Sequence, residues 1–142
     1  MPSTAALDAI AISIGAVSGA LARYQIGKIS SEYISKDPTT RGFLTEWHVA
    51  GINISGSFVL GMLAGVPTSS PKFSTRNRLM VGVGFCGSFT TFSTYSMDLV
   101  TMANEGRFLK ALSYFSVNNI GGFAAAAAGL TLMKTIMKKS VR

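Results

Sequence analysis

The stretch Gly82–Asp98, GVGFCGSFTTFSTYSMD, constrains this chain more than any other. It lies inside a hydrophobic run yet is crowded with small and hydroxyl residues. Gly82, Gly84 and Gly87 lead into Ser88, Thr90, Thr91, Ser93, Thr94 and Ser96, with Phe85, Phe89, Phe92 and Tyr95 threaded between them. The pattern predicts a helix that breaks near Gly87–Thr91 at membrane depth. A break frees backbone carbonyls and N–H groups that lipid cannot satisfy, so it must be buried in protein or line a watery path. Unwound backbone in a membrane helix is also where ions tend to be held. The rest of the chain therefore reads as the housing of an ion site.

Charge and hydropathy support a membrane setting. Charged residues are 13% of the chain, about half the roughly 25% of an average soluble domain. The net charge of +7 and pI near 9.9 do not point to nucleic acid. The basic residues sit in short loops and at the C-terminus, between long uncharged runs. Cys86 is the one cysteine, which excludes an internal disulfide framework, and His48 is the one histidine. Scattered acids and a single histidine make no nucleophile–base set, so no enzyme is expected. No basic region precedes the first apolar run, and no removable signal peptide is expected.

The 142 residues read as a single all-α domain. Four membrane spans are predicted, over about 7–27, 47–66, 79–102 and 111–133. Gly15 and Gly19 prepare the first for close helix packing. Arg23 lies on that same face, and two readings stand: it snorkels to the headgroups, or it lines a vestibule that draws anions inward. Lys28–Glu46 reads as a connecting loop, partly helical, with Tyr24 and Trp47 as interface anchors. The second span carries Asn53, which is either glue between helices, at roughly 0.6–2 kcal/mol per bond, or an amide donor facing a pore. Gly51/Ser55 and Ser57/Gly61/Gly65 are predicted packing seams. Asp98 is unusual at its depth, and lies either at a functional site or near the water boundary beside a basic residue. In the fourth span Tyr114, Asn118 and Gly122 recur every four residues as one polar seam, and Asn119 points elsewhere.

Four spans put both termini on one side. That side holds Lys72, Arg76, Arg78, Lys134, Lys138, Lys139 and Arg142, and the other holds Lys28, Lys36, Arg41, Arg107 and Lys110. Seven against five is a weak bias, which does not forbid insertion in both orientations. The neutral donors Asn53, Ser93, Thr94, Tyr114 and Asn118, with the rings of Phe92 and Tyr95, suit the passage of a small anion. Conduction needs binding weak enough to release. A ring edge is positive without a fixed charge.

These residues carry a family resemblance. The run from Gly84 to Ser96 resembles the signature of the fluoride channels of the Fluc/CrcB family. Gly19-Ala20-Leu21-Ala22-Arg23-Tyr24 and Asn53-Ile54-Ser55-Gly56-Ser57-Phe58 resemble its first- and second-helix motifs. The resemblance implies an antiparallel, dual-topology homodimer in the cell membrane (plasma or bacterial inner membrane), each chain crossing it several times. It implies two passive pores that export fluoride and relieve its toxicity. It also implies a structural Na⁺ at the dimer centre, held by the backbone carbonyls of Gly87 and Thr90. Phe92 and Tyr95 match the pore aromatics, Ser93, Thr94, Tyr114 and Asn118 the polar track, Asn53 the pore asparagine, and Arg23 the vestibule arginine. Tyr95 departs from the usual phenylalanine, Ser88 from a glycine, and Asn118 and Gly122 from serines. Fluoride, the lipid bilayer and a second copy are the expected partners, and no nucleic acid. The alternative is a small proton-coupled multidrug transporter, also of dual topology. It needs a carboxylate deep in a helix, a position that neither Asp8 nor Asp98 fills well. A third reading, a non-transporting membrane subunit, leaves the broken third span unexplained.

Overall fold

The computed structural model of the protein describes residues 3–35, 46–68, 70 and 73–139. All secondary structure among them is helical. Helix α1 spans Thr4–Ser35 and α2 spans Trp47–Gly65. The third region begins with a short helix α3, Thr75–Arg78, followed by a π-helix over Leu79–Cys86 and a single turn α4, Gly87–Phe89. The chain then breaks and resumes as α5, Phe92–Asn104. After the left-handed Gly106 (φ 71°), α6 runs over Phe108–Lys139. Three of these helices, α1 over Thr4–Tyr33, α2 and α6, are long and apolar enough to cross a membrane.

The predicted order of helices holds, with changed ends. Helix α1 continues to Ser35, so the expected loop after Gly27 begins as helix, because nothing in Lys28–Ser35 breaks one. The rest of that expected loop, 36–45, lies outside the described residues. Helix α6 extends past the predicted 133 to Lys139. Helix α2 stops where expected: Val66 is extended (φ −78°, ψ 124°), as the residue before Pro67 must be. Arg78 then donates to the carbonyls of Val66 (3.1 Å) and Pro67 (2.6 Å), a cation at a helix C-terminus.

The π-helix was not foreseen. Such helices are rare and usually a single turn. Here α1 lies directly along it, backbone against backbone. A side chain at Gly15 would strike the backbone of Met80 and Phe85, and one at Gly84 the backbone of Ile12 and Gly15. Gly19 faces the Phe85 carbonyl in the same way. The second seam pairs α2 with α6: Gly61 meets the Ala126 backbone, Gly65 the Leu130 carbonyl, and Gly129 the Phe58 carbonyl. The other predicted seam is a correction: Gly51 meets nothing within 4 Å and Ser55 is exposed, so that face packs on no part of the chain described.

Val49, Ala50, Tyr95, Met102 and Tyr114 form the buried cluster that joins α2, α5 and α6. Trp47, expected as an interface anchor, packs edge-on against Tyr114 (centroids 5.8 Å, 88°). Just before α2, the Glu46 carboxylate accepts from Lys110 Nζ (2.7 Å) and Arg107 Nη1 (3.2 Å), tying the starts of α2 and α6. Burial of Glu46 works against its charge, but those two cations outweigh it and hold the carboxyl below its ordinary 4.5. A depressed carboxyl stabilises the fold above its unfolded value and loses that contribution as pH falls through its folded value. Glu46→Gln should therefore lower stability at pH 7 by about 2 kcal/mol. The gap from wild type should close below the ordinary value of 4.5. Thermal unfolding in detergent at pH 7 to 3 measures this, and a gap independent of pH would refute it.

Candidate functional site

The break lies at Thr90 and Thr91, both in extended conformation (φ −77°, ψ 157° and φ −146°, ψ 114°). Its backbone groups find specific partners. Asn53 Oδ1 accepts from the Thr91 N–H at 2.8 Å, and Asn53 Nδ2 donates to the Thr91 carbonyl at 3.2 Å. The same Nδ2 reaches Asn118 Oδ1 at 3.1 Å, and Asn118 in turn donates to the Tyr114 carbonyl. One amide thus clamps the break to α2 and α6 together. Glue between helices and service at the break are here one role.

The redirected donors have a consequence. In an uninterrupted helix the Thr91 N–H closes on the Gly87 carbonyl and the Thr94 N–H on the Thr90 carbonyl. Here Thr91 turns to Asn53, and Thr94 N–H donates to Thr91 Oγ1 (3.2 Å), which caps α5. The carbonyls of Gly87 and Thr90 are left without their helical donors. Arg23 Nη1 lies 3.5 Å from the Thr90 oxygen.

Two cavities share Thr91. One, of about 300 Å³, is lined by Asn53, Ser57, Gly87, Thr90 and Phe92 among others. The other, of about 360 Å³, is lined by Arg23, Tyr24, His48 and Thr94. Gly56 makes room for the first: a side chain there would meet the Thr90 methyl. Ser93 and Thr94 are exposed, with Thr91 Oγ1 between them at 3.4 and 3.0 Å.

The aromatics divide sharply. Phe92 is 80% exposed and Tyr95 only 6%. Their rings are 5.8 Å apart and tilted by 52°. Tyr114 is fully buried 5.5 Å from Tyr95, and its hydroxyl donates to Asp98 at 2.8 Å. Asp98, read either as a functional-site residue or as one near the water boundary beside a basic residue, accepts from the Tyr114 hydroxyl. The predicted seam holds: Tyr114 and Asn118 are buried and Gly122 faces Ser57 Oγ. Asn119, passed over because it is off that seam, donates to the Tyr95 hydroxyl at 2.8 Å. Its sequence position carries no sign of this, since the partner is 24 residues away on another helix.

Asn53→Asp tests the clamp. A carboxylate still accepts from Thr91 N–H but sets a negative oxygen against the Thr91 carbonyl and Asn118 Oδ1. The fold should lose about 1–3 kcal/mol, read as a lower unfolding midpoint in detergent. An unchanged midpoint would mean that Asn53 does not hold the break.

Sequence comparison now bears on this geometry. The family described as CrcB-like protein, Camphor Resistance (CrcB), matches residues 10–130. The chain is 35% identical over 122 residues to the Fluoride-specific ion channel FluC of Pseudomonas syringae pv. maculicola, covering 85% of this chain and 89% of that protein. It is 34% identical, over the same shares, to the protein of that name from Pseudomonas putida strain W619. A third, from Idiomarina loihiensis, is 42% identical over 87 residues, 61% of this chain and 67% of that one. None of these favours a multidrug transporter. With the match running from the first helix through the break and most of the last, the chain belongs to the CrcB family.

Proposed function

We propose that this chain is a passive fluoride channel, not an enzyme, and that it exports fluoride to relieve its toxicity. The observation that carries the reading is the broken helix clamped by Asn53, with Phe92 and Tyr95 following directly, in a member of a family whose relatives are named fluoride channels. Arg23 beside the cavity mouth raises the local anion concentration. Beyond it, the exposed Ser93 and Thr94 offer hydroxyls and Phe92 and Tyr95 offer ring edges, and Asn53, Tyr114 and Asn118, whose donors bond within the single chain, are proposed to complete the same track. A fixed positive charge in the dry part of the path would hold fluoride too well, at roughly 4 kcal/mol for unit charges 4 Å apart in an effective dielectric near 20. Neutral donors allow both entry and exit.

Two chains are proposed to assemble antiparallel in the cell membrane, with two pores per dimer. Exposure of Gly87 on the surface of the single chain supports this. So does the near balance of basic residues, seven against five. Na⁺ is proposed at the dimer centre. The carbonyls of Gly87 and Thr90 fit it: they lack helical donors, and hard cations favour oxygen ligands. Two carbonyls are too few for such an ion, so a second copy must supply the others. Arg23 at 3.5 Å from the Thr90 oxygen must turn away when the ion binds. Bound there, Na⁺ joins the two breaks electrostatically.

Liposomes holding the purified protein should release fluoride, read with a fluoride electrode, and retain chloride. Release of neither ion from a dimeric protein would overturn the reading. Phe92→Ile should slow release about tenfold or more, as when roughly 1.4 kcal/mol is lost from the passage. Exchange of Na⁺ for K⁺ should lower the unfolding midpoint of the dimer, since a ligand of the native state stabilises it by mass action. An identical midpoint in both salts would remove sodium from the proposal.

A further inference from the structure

The two buried tyrosines use their hydroxyls in opposite senses. Tyr114 donates its proton to Asp98 at 2.8 Å. The Tyr95 oxygen instead accepts, from Asn119 Nδ2 at 2.8 Å. The amide's orientation is fixed independently, because the same Nδ2 donates to the Phe115 carbonyl at 2.8 Å and a carbonyl can only accept. Turning the amide over would set oxygen against oxygen at Phe115. The phenol must therefore accept at Asn119, and its own proton is not used there. The ring around that proton is confined between Phe92 (5.8 Å) and Tyr114 (5.5 Å).

We infer that Asn119 is a positioning residue that fixes the Tyr95 hydroxyl as a hydrogen-bond donor for the permeating anion, an inference that rests on the channel reading above. Asn119 never touches the ion. It occupies a lone pair of the phenol oxygen and so leaves the O–H to donate elsewhere, on this proposal to the anion. Without it, the O–H is no longer held in one orientation and must be reoriented as each anion arrives. A phenylalanine at the same place offers only its ring edge and has no hydroxyl for Asn119 to hold. The pair Tyr95–Asn119 thus works as one specificity-determining unit, one member on α5 and the other on α6.

The test is a cycle of wild type, Tyr95→Phe, Asn119→Leu and the double variant. Each is purified, checked for its dimer by size exclusion, and measured for fluoride release from liposomes. Asn119→Leu should slow release about fivefold in the Tyr95 background, the factor that one neutral hydrogen bond carries. In the Tyr95→Phe background the same substitution should change release by less than about 1.5-fold, since sites without a shared interaction add independently. Equal losses in both backgrounds would assign Asn119 to packing alone and overturn the inference. No loss in the Tyr95 background would overturn it as well. Wild type that conducts no fluoride would instead sink the channel reading on which both rest. If Asn119→Leu does not assemble, Asn119→Ala in the same two backgrounds puts the same question with a smaller side chain.

Discussion

A peptide group without a partner cannot sit in lipid, and the break at Thr90–Thr91 places several in that position. Everything around it answers that constraint. Asn53 is suited to the task because a carboxamide both donates and accepts, so one side chain satisfies the N–H and the C=O of the same residue. A serine reaches neither so completely, and an aspartate can do only half. By taking the Thr91 N–H, Asn53 also withholds it from the Gly87 carbonyl. The group that makes the break tolerable is the one that leaves an oxygen available for an ion.

The break needs a rigid frame, and glycine supplies it by absence. Backbone meets backbone along Gly15, Gly19 and Gly84 on one side and Gly61, Gly65 and Gly129 on the other. Between membrane helices there is little hydrophobic drive, so such close dispersion contacts and the occasional polar bond must suffice. The chain is thereby built as two pairs, α1 with the π-helix and α2 with α6. Asn53, on α2, reaches the break between them, and Arg23, on α1, approaches the same point from the other pair.

The break was legible because its signal is local: glycines and hydroxyls crowded into an apolar run leave few alternatives. The seam of Tyr114, Asn118 and Gly122 was legible for a similar reason, since helical period alone puts them on one face. What escaped was everything that depends on a partner far along the chain. Asp98 accepts from the Tyr114 hydroxyl, and Trp47 packs edge-on against the same ring. Asn119 meets Tyr95 only because α5 and α6 cross where they do. The π-helix left no mark in residue pattern either; Gly15 and Gly19 of α1 lie close against its backbone. Gly51 and Ser55 show the reverse case, a local packing motif that the rest of the chain does not use.

That unused motif belongs with a wider feature of the surface. Gly51, Ser55, Gly87, Ser93 and Thr94 are all exposed on the single chain, and Phe92 stands 80% exposed among them. Hydrocarbon is a poor solvent for hydroxyls and for a peptide group whose helical donor has been taken away. Lipid can cover Ile10, Ile14, Val17 and Leu21 along α1 without cost, but not this set. The proposed second copy resolves the mismatch, since it brings polar groups of the same kind and a second break. On that view the features that are awkward in one chain, a half-exposed break and an uncovered aromatic ring, are the halves of a site that only two chains complete.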